Sequence, residues 1–445
     1  MVVILVVGAG LSVPNRNDYQ YRRMFAVPIA VDHFLKQIGF TQNISEPAAT
    51  FLVNNQLAPL WKLTPKTLDL NNLKERLQIL PIKCFTRSDR LFSTKYEKLL
   101  QSLAEYAAFH SEVSDARQLI WKCDYAEGFC GGLADRLRGI AYTLLLAVFS
   151  RRRLLLYWGM PNGEHIFLKP NLINWVTDES STENAIYFDL KNTMSNPNIP
   201  SAMKAIGGNL TKVAISSNLE LEAVRKQIFK PQWLLDGMKR TGLDVITNKD
   251  INEIFGIAFR YLFQIGRDLS LIVNSAKHLL GLHKDKYVAV HVRAGFVGSA
   301  HPEGRATKIL STRKQWEQML LCAVNMANTN VGSNSPIFLA TDSNMVKDLA
   351  ARKYGTRYKT LNVSLAHPDF LDKNSGPNIE AIEGLLSTWV DFFLLAQSYV
   401  QVKAGSDWIY GSGFAVGASQ LCGLPRDHRI DGLLNCTSED KLSYS

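Results

Sequence analysis

The sequence predicts an α/β fold built on parallel sheets. Three observations point there. An apolar run at Leu119–Tyr125 leads through a glycine-rich turn into a helical pattern at Arg136–Ser150 and then into the run Leu154–Trp158. Strand, helix, strand in that order is a βαβ unit, whose strands lie parallel. The later chain holds Tyr287–Arg293 (YVAVHVR), Pro336–Asp342 (PIFLATD) and Asp407–Tyr410 (DWIY), each a strand with polar or glycine residues at its carboxyl end. Finally, 445 residues, 46% of them hydrophobic and 20% charged, are too many for one compact core and apolar enough for more than one.

Taken from the amino terminus, residues 2–14 (VVILVVGAGLSVP) are apolar and end at a proline. The run is shorter than the roughly 20 residues of a membrane span. Residues 1–14 read as a signal peptide or signal-anchor remnant, with a first strand as the alternative. A positive n-region is missing, and Arg16, Arg22 and Arg23 follow the run. Residues 15–115 read as a stem with helical elements such as Tyr96–Ala108, where Leu99, Leu100, Leu103 and Ala107 share a face. Residues 116–283 form a first Rossmann-like domain and 284–445 a second. Within the first, Ile140–Phe149 is a core helix, 159–230 is loop-rich, and Asp250–Ile265 and Leu269–Leu280 are helices, the latter closed by Gly281. Within the second, helices run over Asn344–Tyr354, from Ile382, and from the Gly-Ser-Gly-Phe turn through Ala418.

The formal net charge of +10 favours an anionic partner. The basic residues are scattered, and the tightest run, Arg151 to Arg153, lacks the interleaved aromatics of a nucleic-acid surface, so nucleic acid is not expected. The cysteines are Cys84, Cys123, Cys130, Cys322, Cys422 and Cys436, with no C-x-x-C pair, which disfavours a zinc or thioredoxin site. Cys123 with Cys130, and Cys422 with Cys436, are close enough for local disulfides; buried free thiols are the alternative. N-x-S/T sequons occur at Asn43, Asn209, Asn362 and Asn435, a number that a chain of this length carries by chance. Together the apolar start, the sequons and the cysteines favour the secretory pathway.

The strand ends carry the chemistry. In YVAVHVR, Val288, Val290 and Val292 share one face, and Ala289, His291 and Arg293 the other. Arg293 before Ala-Gly suits a bidentate grip on a phosphate, with a structural ion pair as the alternative. Asp342 can accept hydrogen bonds from a guanine edge or a ribose, or cap the next helix, as Ser343 could. Ser412 stands between glycines at a helix N-terminus, where free N–H groups attract a diphosphate. A nucleophilic serine would lack the G-x-S-x-G elbow. Asp391 is a lone acid on an apolar helix and faces either a ligand or solvent. The chain has no D-x-D, so arginines and helix N-termini would neutralise a leaving diphosphate. In GGLADRLRG the glycines would let backbone approach a ligand, with Arg136 and Arg138 facing the same crevice.

This set resembles a family. GGLADRLRG with a helix and RRRLLLYW, HVRAG after a strand, FLATD, and WVDFFLL with YGSGF are similar to the GDP-fucose-dependent fucosyltransferases. These are the α1,2-, α1,6- and protein O-fucosyltransferase superfamily, including the rhizobial nodulation enzymes. The resemblance covers about residues 120–420. It implies a GT-B-like architecture, two Rossmann-like domains facing across a cleft, the first taking the acceptor and the second the nucleotide sugar. It implies inverting transfer without metal or other cofactor. Arg293 would hold the donor diphosphate with His291 near the nucleotide. Asp342 and Asp391 would also face the nucleotide, Asp391 near guanine, and Ser412, Gly413 and Phe414 would lie at the diphosphate, with Arg136 opposite. The acceptor proton needs a base, for which Glu127 and Asp135 are candidates. The implied partners are a GDP-fucose donor and a glycan or glycoprotein acceptor. The implied location is the Golgi or ER lumen, with membrane anchoring through the N-terminus as a type II protein. Two departures stand out: Ala294-Gly295 follows Arg293 where many relatives have a second arginine and a nearby aspartate, and Ala415-Val416-Gly417 replaces a polar run with arginine. Alternative readings are another nucleotide-sugar transferase of this architecture, or a carbohydrate-binding protein with a degenerate site.

Overall fold

The computed structural model describes residues 30–39, 69–78, 93–112, 117–123, 131–158, 167–177, 180–190, 196–219, 230–245, 247, 250–282, 286–294, 312–361, 379–404, 413–422 and 429–430. Residues 1–14 lie outside them. The strands are β1 (Gln118–Cys123), β2 (Arg153–Trp158), β3 (Leu168–Pro170), β4 (Ile186–Asp189), β5 (Lys212–Ser216), β6 (Phe263–Ile265), β7 (Val288–Val292), β8 (Ile337–Thr341), β9 (Tyr358–Lys359), β10 (Val400–Ala404) and β11 (Arg429–Ile430). The helices are α1 (Leu70–Gln78), α2 (Glu97–Glu112), α3 (Leu133–Ser150), α4 (Asn198–Gly207), α5 (Gln232–Thr241), α6 (Ile251–Leu262), α7 (Arg267–Leu279), α8 (Arg313–Asn330), α9 (Asn344–Tyr354), α10 (Ile379–Ala396) and α11 (Gly413–Leu421). Residues 30–37 are also helical.

The class is α/β, as the βαβ reading requires. One parallel sheet has the order β2-β1-β5-β4, the other β11-β10-β7-β8-β9. A small antiparallel pair, β3 with β6, stands apart. In β7 the alternation holds: Val288, Val290 and Val292 enter a core with Trp316, Met319 and Leu320 of α8, while Ala289 faces the main core. That main core is continuous from Leu99 of α2 through α3 and Trp389 of α10 to Phe338 of β8. α3 is buried on every side except at Asp135, because it lies between the first sheet and other helices. α8 starts with a reciprocal cap, Thr312 Oγ1 accepting from Gln315 N (3.3 Å) and Gln315 Oε1 from Thr312 N (2.7 Å).

A buried arginine organises the amino edge of the first sheet. Arg152 is 0% exposed and donates to five carbonyls: Ile206 (2.6 Å), Gln118 (3.2 Å), Leu210 (2.8 Å), Ala205 (3.1 Å) and Gly208 (2.9 Å). Burial, and then the charge of Arg117, lower its pKa to about 10, so it stays protonated at neutral pH. It gathers the carbonyls that the end of α4 leaves without helical partners.

Several expectations need correction. Within the loop-rich 159–230 stretch lie β3, β4, α4 and β5, which the sequence does not announce, and β5 lies inside the sheet between β1 and β4. Its strands are short and sit between turn residues, so their periodicity is weak. The helix from Asp250 stops at Leu262, and Phe263–Ile265 becomes extended to pair with β3. α3 starts at Leu133, three residues early. Val400–Ala404 is a strand that the sequence reading did not single out, and DWIY lies outside the described residues. Cys123, Cys322 and Cys422 are disulfide-bonded, so the free-thiol alternative fails for them. Among the described residues no helix is long and apolar enough to cross a membrane.

Replacing Arg152 by alanine should orphan several buried carbonyls and lower unfolding free energy by about 3 kcal/mol or more. Urea denaturation measures this; an unchanged midpoint would show that water satisfies them equally well.

Candidate functional site

In the second sheet the strand order reverses between β7 and β10. Ligands of doubly wound sheets bind outside the carboxyl ends of strands at such a reversal. β7 ends at Val292, so His291 and Arg293 stand at this point. His291 is 9% exposed, and its Nδ1 makes no hydrogen bond among the described residues. Burial, and then the charge of Arg293, lower its pKa to about 3, so it is a neutral imidazole at any physiological pH. Its ring lies 5.5 Å from Phe414, near the start of α11, and Phe414 lies 5.4 Å from Phe392 of α10.

Asp342 follows β8, and its Oδ1 accepts from Ala294 N at 2.8 Å, tying the ends of β7 and β8 together. Ser343 at the N-cap of α9 makes no capping side-chain bond. Lys347, in the first turn of α9, donates to Leu361 O at 2.8 Å and sits near Asp391. Asp391 is 5% exposed and not solvent-facing. Its Oδ1 makes no hydrogen bond among the described residues, and neither does the buried Oγ of Ser387, one turn earlier on α10. Burial raises the Asp391 pKa to about 7, against the opposing charge of Lys347. Buried polar atoms without partners are rare in native structures and point to a ligand or water that completes them.

The glycine turn approaches from the first sheet. Gly131 has φ +81°, a left-handed conformation that suits glycine. Gly132 N donates to Asp135 Oδ2 at 3.2 Å, and Arg138 Nη2 pairs with Asp135 Oδ1. Both Asp135 oxygens are thus engaged by the protein. Arg136 is fully buried, its Nε donating to Gly131 O at 2.8 Å. Arg136 is thus tied to the glycine turn itself. A Cβ on Gly413 would lie 2.6 Å from Arg138 Nη2 and 3.1 Å from Asp135 Oδ1. A Cβ on Gly417 would lie 2.7 Å from Ala134 Cβ. The first turns of α3 and α11 therefore meet, each carrying amide N–H groups without helical acceptors. Glu127 and Ser412 lie outside the described residues.

Sequence reasoning missed two features. Lys347 carries no motif and stands out only through its nearness to Asp391. The other is the last rung that spans all four strands of the first sheet. Lys122 pairs with Tyr157, Asp189 with Ser216, and Trp121 with Ile215, which sets Lys122 level with Ser216. The rung lies on the face that holds Ile120, Leu155 and Ala214, and Lys122 Nζ is 5.7 Å from the Tyr187 ring. No local motif marks it, because it forms only where β5 pairs with β1 and β4. Among the described residues no group of His, Cys, Asp and Glu side chains is arranged to hold a metal ion.

No family model matches the chain, and no curated protein matches it in sequence. Among solved structures it is similar to an arginine-to-lysine mutant of Arabidopsis thaliana FUT1 in complex with GDP, with a TM-score of 0.48 and 12% identity. The match covers 73% of this chain and 78% of that one.

Two outcomes follow from the geometry. Gly417→Ala forces α11 away from α3 and should destabilise the fold by about 1–3 kcal/mol in urea titrations; equal midpoints would mean the crossing tolerates a methyl. The second concerns Asp391, whose folded pKa is raised above the ordinary carboxylate range. Between roughly pH 4 and 7 the folded state holds a proton that the unfolded chain has lost, so this contribution to stability falls as pH rises. Asp391→Asn should lose less stability than wild type between about pH 5 and about pH 8. Identical losses would place the titration elsewhere.

Proposed function

We propose that the chain is a glycosyltransferase moving L-fucose from GDP-fucose to a hydroxyl of a glycan or glycoprotein, with inversion and without a metal ion. One observation carries this reading: the four motif stretches meet. Gly413 abuts Asp135 and Arg138, Phe414 touches His291, Asp342 binds Ala294 N, and Lys347 sits by Asp391. In this reading residues 284–445 bind the donor and 116–283 present the acceptor, with the Tyr157–Lys122–Ser216–Asp189 rung on the acceptor side.

The chemistry then divides as follows. Arg293 and the amides of the two helix N-termini take up charge on the diphosphate as the bond from fucose C1 to its oxygen breaks. Neutral His291 supplies a hydrogen bond, not a charge. Asp391, with an unpartnered oxygen, accepts from N–H donors of the base and is ionised by them. The acceptor oxygen attacks C1 from the face opposite the departing GDP, and its proton passes to a carboxylate. Asp135 holds Arg138, which leaves Glu127 as the candidate base. The metal-free reading rests on the lack of D-x-D in the sequence. A lumenal location, in the Golgi or ER, is supported by the disulfide-bonded state of Cys123, Cys322 and Cys422.

Titration calorimetry with GDP in excess EDTA tests the reading. Wild type should bind, and Arg293→Ala should weaken binding by about tenfold or more, the loss of a charge-assisted contact. No binding of GDP would refute the donor assignment, and binding of UDP-sugars in its place would assign another donor.

A further inference from the structure

We propose that Asn209 is a modification site carrying an N-linked glycan, at the edge of the first sheet opposite the candidate nucleotide site. Asn209-Leu210-Thr211 is one of the four sequons; the asparagines of the other three lie outside the described residues. All three of its residues are exposed. They form the connection from α4, which ends at Gly207, to β5, which starts at Lys212. The backbone of this turn faces inward: Arg152 donates to Gly208 O (2.9 Å) and Leu210 O (2.8 Å), and Gln118 N donates to Thr211 O (2.7 Å). With the carbonyls held below, the asparagine amide and the threonine hydroxyl are the groups presented to solvent.

Three conditions for N-glycosylation are therefore met together. The acceptor tripeptide is present, it is exposed on a surface turn, and the described cysteines are in disulfides, as in a compartment where such transfer occurs. In the transfer, Asn209 Nδ2 attacks the anomeric carbon of a lipid-pyrophosphate-linked oligosaccharide supplied by the host. The C–N bond forms as the bond from that carbon to the pyrophosphate oxygen breaks. The amide proton goes to a base of the host transferase, and the lipid pyrophosphate leaves. The turn precedes β5, at the amino edge of its sheet, and the carboxyl end of that strand lies about 16 Å away along its five residues. A glycan here covers the amino edge and leaves the crevice open. The inference does not depend on the proposed transferase activity.

The test uses the full chain with its own N-terminus, expressed in a eukaryotic secretory host. Peptide mapping after N-glycanase digestion in heavy-oxygen water should find Asn209 converted to labelled aspartate. Thr211→Ala, which keeps the asparagine, should lose the label, and Asn209→Gln should run with a lower apparent mass. Lumenal protein with unmodified Asn209 would overturn the proposal, as would recovery of the chain solely from the cytosol.

Discussion

The rest of the arrangement depends on the close crossing of α11 over α3. Gly413 and Gly417, one turn apart, present no side chain to Ala134, Asp135 and Arg138. Two helices can approach this closely only where side chains are absent at the contact. The crossing carries the helix that follows β10 onto the glycine turn that follows β1. It also lets the main apolar core run without a break between the two sheets, from Leu99 to Phe338. The far face of the second sheet keeps its own core, built on Val290, Leu339 and α8. One sheet can thus be described as shared by two cores, and its carboxyl edge lies where the helix N-termini converge.

Two buried polar groups show how the scaffold is held. Arg152 satisfies five carbonyls, and Asp250 accepts from Lys95, from Tyr96 Oη (3.1 Å), and from the N and Oγ1 of Thr247 (2.7 and 2.9 Å). Such groups hold elements together and leave nothing over. His291 Nδ1, Asp391 Oδ1 and Ser387 Oγ are buried without hydrogen bonds among the described residues. Leaving such atoms unpaired costs about 1–3 kcal/mol each. Trp158 Nε1 and Trp233 Nε1, away from the crevice, also make no hydrogen bond among the described residues, so the missing partner marks a site only together with the chemistry at the strand ends.

The α/β class, β1, β2, β7 and β8 were legible because each couples an apolar run to a glycine or polar stop. The alternation of β7 was legible to the residue, since its two faces enter different cores. The middle of the first sheet was not, because Lys212–Ser216 and Ile186–Asp189 are too short to show a period and gain their identity from their neighbours. His291, Asp342 and Asp391 could be singled out by type and place. Their environments could not: that Asp391 is buried near Lys347, and that Arg136 turns back to Gly131, are long-range and rotameric facts. The partners of Asp135, Gly132 N and Arg138, were likewise beyond the reach of the sequence.

The claim that these separate stretches form one nucleotide site is tested most directly by hydrogen–deuterium exchange with and without GDP. The account predicts slower exchange at 131–138, 291–294 and 413–418 together, with the turn around Asn209 unchanged. Protection confined to one of these stretches, or none despite saturating nucleotide, would contradict it.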